Sequence, residues 1–116
     1  MNRLLSRVIV LVSLMATLLF GSAVSAQEQP GTVWIDARTA EEFAEGHLQG
    51  AVLIPYDTIK SGISALGLEK DQPINVYCRS GRRSGIAAQE LQKLGYTRVT
   101  NVGGLDDAQK MSGQVK

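Results

Sequence analysis

The stretch Val76-Tyr77-Cys78-Arg79-Ser80-Gly81-Arg82-Arg83-Ser84 contains the single cysteine of the chain. An apolar-leaning run, Ile74 to Tyr77, leads into it, and a helical pattern runs away from it from about Arg83 to Leu94. The cysteine therefore falls where a strand ends and a helix is about to begin. The first N–H groups of a helix have no intrahelical partner and point at whatever lies in front of them, and the helix dipole adds positive potential there. Arg79, Arg82 and Arg83 stand in the same short loop as Gly81. A thiol in that setting ionises more readily, and the thiolate is the nucleophile. The backbone amides of the loop also attract a small anion. A nucleophilic sulfur beside an anion cradle implies chemistry on a small anionic substrate.

Each residue taken singly has a plainer reading. A lone Cys at the end of a buried strand is more often a small apolar filler than a nucleophile, and any one of Arg79, Arg82 and Arg83 is more often a solvated cation. It is the combination of thiol, glycine and three cations, with a strand before and a helix after, that points to catalysis.

The elements that must position this loop follow from patterning. Thr32 to Ile35 is β-rich and leads into Asp36-Ala37-Arg38, a strand followed by a loop. Thr39 and Glu42 have capping-box spacing, which starts a short helix ending near Ala44. Ala51 to Ile54 reads as a second strand. Asp57 is placed to cap a helix whose apolar face is Ile59, Ile63 and Leu66; Gly62 weakens that helix and Gly67 suits its end. Ile74 to Tyr77 is the third strand. Ala87, Leu91 and Leu94 stripe the helix after the loop, and Gly95 ends it. Arg98 to Val102 is the fourth strand, Gly103-Gly104 a tight turn, and the tail from Leu105 a brief helix. Strands alternating with helices predict an α/β fold, a small parallel sheet covered by helices on both faces. Ligands of such sheets sit at the carboxyl ends of strands, where Asp36-Ala37-Arg38, Cys78 and Gly103-Gly104 converge.

Composition limits the partners. The 116 residues suffice for one domain. Arg3 and Arg7 form a basic lead, Val8 to Phe20 an apolar run shorter than the roughly 18 residues a membrane span needs, and Val24-Ser25-Ala26 offers small residues for cleavage. Residues 1–26 are thus expected to be a signal peptide cut after Ala26, leaving a domain over 27–116, exported to the periplasm and with no stable membrane association. No cysteine lies near the cut, so lipid attachment there is excluded. The remaining domain carries ten basic and eleven acidic residues, a net charge of −1, so nucleic acid is not an expected partner. In an oxidising compartment a single cysteine is either a working thiol or a fully buried one.

Ile35-Asp36-Ala37-Arg38, Glu42-Phe43, Gly46 to Ala51 and Ile54-Pro55, the Val76-Tyr77-Cys78 loop, and Asn101 to Leu105 together resemble single-domain rhodaneses, in the expected order over nearly all of residues 32–108. The resemblance implies a thiosulfate sulfurtransferase. Cys78 then takes the outer sulfur of thiosulfate, releases sulfite, and passes its persulfide sulfur to cyanide or a thiol acceptor, with no metal or organic cofactor. It implies that loop N–H groups of Arg79, Ser80, Gly81, Arg82, Arg83 and Ser84 hold the persulfide, and that at least one of the three arginines binds the sulfonate end. Ser84 either donates to the sulfur or caps the helix. Asp36 and Arg38 read as scaffolding that pins the loop, Glu42 as a cap, and His47 as the site of a structural hydrogen bond. Asp106, Asp107 and Ala108 stand where many relatives carry a Trp.

Three other functions compete. Phosphatases of the cell-cycle type and arsenate reductases of similar fold have Cys, five residues, then an Arg that grips the oxyanion; here that sixth place is Ser84. A catalytically idle protein-binding module would usually lack the cysteine. A sulfur carrier would form the persulfide and keep it for one partner.

Overall fold

The computed structural model describes residues 31–114, so the signal segment expected over residues 1–26 lies outside the described residues. The elements in order are β1 (Val33–Asp36), α1 (Ala40–Glu45), β2 (Val52–Leu53), a 3-10 turn (Tyr56–Thr58), α2 (Ile59–Ser64), β3 (Ile74–Cys78), α3 (Arg82–Lys93), β4 (Val99–Gly104) and α4 (Leu105–Ser112). The four strands form one parallel sheet in the order β2-β1-β3-β4. Among the described residues no helix is long and apolar enough to cross a membrane.

Alternation along the strands separates two apolar clusters. Ile35, Ile74 and Val76 pack with Ile59 and Ile63 of α2 and Ala87 and Leu91 of α3. Tyr77 instead meets Leu48 and Ala108, with Trp34, Val102 and Leu105 against them. Helices α2 and α3 thus cover one face, and α4 with the Leu48 segment covers the other. Burying one such isoleucine stabilises the fold by about 1.5–3 kcal/mol, so the apolar stripes read in α2 and α3 are what hold those helices to the sheet.

Three local expectations change. Asp57 does not cap α2; it lies inside the 3-10 turn, and the N-cap position is Thr58, with no side-chain cap. Gly62 is a packing requirement more than a weakness, because a Cβ there would run into the Ile54 side chain. Gly103 and Gly104 are not a turn but the end of β4, paired with Tyr77 and Cys78. The register shifts between Val76 and Tyr77, whose partners are Asn101 and Gly103, so Val102 is the extra residue of a β-bulge. The expected proximity of the glycine pair to the cysteine loop is real, and it arises from strand pairing.

Candidate active site

Cys78 is the last residue of β3 and is fully buried. The chain leaves it through Arg79 and Ser80 and reaches Gly81, the N-cap of α3, at φ 96°. That left-handed backbone favours glycine, since a Cβ would be strained there. The turn wraps the start of α3 around the sulfur. The Gly81 amide donates to Cys78 Sγ at 3.0 Å, and Ser84 Oγ lies 3.2 Å from it. Ser84 is buried within α3, whose start has no side-chain cap, so its hydroxyl lies within reach of the sulfur and does not cap the helix.

These contacts set the acidity of the thiol. Burial pushes the Cys78 pKa up. The Ser84 hydroxyl and the amides of Ser84, Gly81 and Ser80 together outweigh burial and bring it from 9.0 down to about 7. Near neutral pH a large fraction of the sulfur is therefore thiolate, stabilised by donors already in place.

The three arginines are not equivalent. Arg83 is clamped: its Nη1 and Nη2 donate to Glu42 Oε1 and Oε2 at 2.7 and 2.9 Å. This pair holds the Glu42 carboxylate down at about 2, the Arg83 hydrogen bonds being the largest cause. Glu42 also completes the expected capping box, accepting from the Thr39 amide while Thr39 Oγ1 accepts from the Glu42 amide. Reading Glu42 as a cap alone missed its second task, because Arg83 lies 41 residues away in sequence. Arg79 has a side chain 79% exposed and only a loose 4.0 Å contact with Glu42. Arg82 is exposed, and its side chain forms no ion pair with any described residue. The loop mouth thus presents two exposed cations, Arg79, which reaches Glu42 only at 4.0 Å, and Arg82, and one closely paired cation, Arg83.

Asp36 and Arg38 form a buried ion pair at 2.7 Å, and their further side-chain hydrogen bonds run to Tyr77 and Gly46. Arg38 Nη2 donates to the Gly46 carbonyl at 2.7 Å. Tyr77 Oη donates to Asp36 Oδ2 at 2.8 Å and accepts from the Leu48 amide at 3.0 Å. Burial pushes the Tyr77 phenol up to about 12, so it stays a donor. The network fixes Tyr77, the residue before Cys78, and the segment from Gly46 to Leu48. The contacts of Asp36 and Arg38 thus reach β3 at Tyr77, one residue before Cys78. His47 places Nδ1 2.8 Å from the Phe43 carbonyl and stacks on the Phe43 ring, the structural hydrogen bond expected of it.

The second residue that sequence reasoning missed is Asn101, next to the β4 bulge. Its Nδ2 donates to the Gly81 carbonyl at 2.9 Å, and its Oδ1 accepts from the Gly103 amide at 3.1 Å and lies 2.7 Å from Ser84 Oγ. A polar residue two places before a glycine pair was the available signal. Gly104 completes the wall: a Cβ there would stand 2.5 Å from the Arg79 carbonyl oxygen.

Comparison with known proteins agrees with this geometry. The family model described as Rhodanese-like domain matches residues 21–110. The chain is 41% identical over 90 residues to a thiosulfate sulfurtransferase, PspE, of Escherichia coli strain K12, covering 78% of this chain and 83% of that protein. It is 39% identical over 70 residues to a sulfurtransferase of Allochromatium vinosum, covering 60% of this chain and 64% of that one. A solved structure of a rhodanese with anions from E. coli superposes with a TM-score of 0.63 at 42% identity, covering 66% of this chain and 89% of the other.

Proposed function

The chain belongs to the rhodanese-like domain family, and from that premise we propose that it is a thiosulfate sulfurtransferase working through a persulfide on Cys78. The observation that carries the reading is the sulfur at the end of β3, met by the Gly81 amide and the Ser84 hydroxyl at 3.0 and 3.2 Å. Two exposed arginines, Arg79 and Arg82, stand beside it.

In the first half-reaction the Cys78 thiolate attacks the outer sulfur of thiosulfate. A new S–S bond forms on Cys78, the old one breaks, and sulfite leaves with its electron pair. Arg79 and Arg82 attract the sulfonate end, while the loop amides and Ser84 steady the charge on sulfur. In the second half-reaction cyanide or a thiolate attacks the outer persulfide sulfur. The S–S bond breaks again, thiocyanate or a persulfide leaves, and the Cys78 thiolate returns. Each half conserves charge, and neither requires a proton at the reacting sulfur, so the sulfur itself calls for no general base. Ser84 at the sixth place after Cys78 speaks against an oxyanion-gripping phosphatase loop, because that place would need an arginine. The same reading includes export: the basic lead, apolar run and small residues ending at Ala26 support removal of residues 1–26 and a periplasmic site of action.

The test is intact-mass spectrometry of the reduced protein after brief exposure to thiosulfate, and again after cyanide. The expected result is a gain of one sulfur that cyanide removes with thiocyanate release, and no gain in Cys78→Ser. A persistent gain would replace turnover with a dedicated carrier. No gain, in folded protein with a titratable thiol, would overturn the reading.

A further inference from the structure

Asn101 hydrogen-bonds to Gly81 and Ser84, two of the residues that donate to the sulfur, yet its side chain makes no hydrogen bond to the sulfur itself. It is brought there by the β4 bulge. Asn101 pairs with Val76 and Gly103 with Tyr77, so Val102 is accommodated between them, and the Gly103 amide folds back onto Asn101 Oδ1 at 3.1 Å. Bulges beside active sites re-aim side chains. Here the result is a carboxamide lying across the back of the loop, packed closely enough on Gly85 that a Cβ built there would lie 3.2 Å from Nδ2.

The orientation of the carboxamide is fixed by its partners. Nδ2 donates to the Gly81 carbonyl at 2.9 Å, so Oδ1 faces Gly103 and Ser84. The Ser84 hydroxyl has one proton and two acceptors within reach, Asn101 Oδ1 at 2.7 Å and Cys78 Sγ at 3.2 Å. With a neutral thiol the proton points to Oδ1. With a thiolate, rotation of the O–H bond alone delivers it to sulfur, while Oδ1 keeps the Gly103 amide as its donor. The buried hydroxyl is thus satisfied in both states.

We propose that Asn101 is a positioning residue for sulfur activation, holding Gly81 and Ser84 in place as donors to the Cys78 thiolate. The proposal rests on Cys78 being the working nucleophile. The titratable and charged groups around the loop are Arg79, Arg82 and Arg83, Glu42 of α1 paired with Arg83, Tyr56 on the Arg83 side, and Asp107 of α4, whose carboxylate accepts from the Gly104 amide at 2.9 Å; all are retained when Asn101 is changed. Truncation at this exposed edge-strand position admits water, which accepts the Ser84 proton but holds neither the hydroxyl nor the Gly81 carbonyl in a fixed direction.

The experiment measures the Cys78 pKa in purified protein from the pH dependence of its alkylation by iodoacetamide, with thermal melts as the check on folding. Asn101→Ala is expected to raise the pKa by about one unit, which lowers the thiolate fraction at pH 7 by roughly fivefold. Asn101→Asp keeps an oxygen for Gly103 and Ser84, loses the donor to Gly81 and adds a charge that opposes the thiolate, so its shift should be larger. In a Ser84→Ala background, Asn101→Ala should add less than half of its own shift, because the two act through one hydroxyl. An unchanged or lowered pKa in either folded variant, or full additivity with Ser84→Ala, overturns the proposal. Alkylation reads the thiol directly, so failure here is distinct from failure of sulfur transfer, which appears as a wild-type protein that gains no sulfur from thiosulfate.

Discussion

Glu42 grips Arg83 with both carboxylate oxygens, at 2.7 and 2.9 Å, and so pairs one of the three loop cations within the protein. A planar fork on a carboxylate is among the stronger surface-proximal pairs, and it ties the first turn of α1 to the first turn of α3. The distribution of charge at the loop mouth follows from this one contact.

Thiosulfate recognition should therefore fall to Arg79 and Arg82. Arg79→Ala and Arg82→Ala are each expected to raise KM for thiosulfate by about two- to fivefold, the range for exposed charge contacts. Glu42→Gln removes the negative charge beside the mouth and should lower KM. Steady-state kinetics at low ionic strength decide it; unchanged KM in both arginine variants would leave recognition to the backbone amides.

The same pair makes the fold acid-sensitive in a defined window. The Glu42 pKa is about 2 when folded, against an ordinary value of 4.5. A depressed carboxylate contributes stability that is fully present above its unfolded pKa and is lost as pH falls toward the folded one. Melting temperatures should drop between about pH 5 and pH 2, with a shallower slope in Glu42→Gln. Parallel slopes in the two proteins would contradict this assignment.

Sulfur transfer should rise with pH through the Cys78 pKa of about 7. Ser84→Ala removes a donor to the thiolate, so the midpoint of the kcat/KM profile is expected to move up by about one unit. A midpoint that stays in place would mean that the Gly81, Ser80 and Ser84 amides suffice.

Tyr77→Phe should destabilise the protein by about 1–3 kcal/mol, since it leaves the buried Asp36 carboxylate and the Leu48 amide each short of a partner. Asp36→Ala should cost more, about 3–5 kcal/mol, because Arg38 then sits unpaired. Urea midpoints measure both. Equal stability of Tyr77→Phe and wild type would remove this network from the account of the fold.

Gly104→Ala tests the wall of the site. Its methyl would meet the Arg79 carbonyl at 2.5 Å, and backbone cannot step aside as a side chain can. Displacing the loop by a fraction of an ångström is expected to lower kcat/KM by about tenfold or more while the melting temperature falls only modestly. Wild-type activity would show that the loop has room to shift.

The amino-acid sequence by itself determined the alternation of strands and helices, the parallel sheet and the place of Cys78 between β3 and α3, because hydrophobic periodicity and local capping are encoded within a few residues. Thr39 and Glu42 were readable as a cap for that reason, as were Ile59, Ile63, Ala87 and Leu91 as buried faces. The functions of single polar residues were decided by tertiary structure. Arg83 and Glu42 are separated by 41 residues, Ser84 and Asn101 by 17, and Tyr77 and Asp36 by 41. Gly103-Gly104 looked like a turn because two glycines usually make one; strand pairing and a bulge made them the end of β4. Side-chain direction and strand register depend on packing across the whole sheet, so which cation stays free and which carboxamide reaches the loop emerge only once the chain has folded.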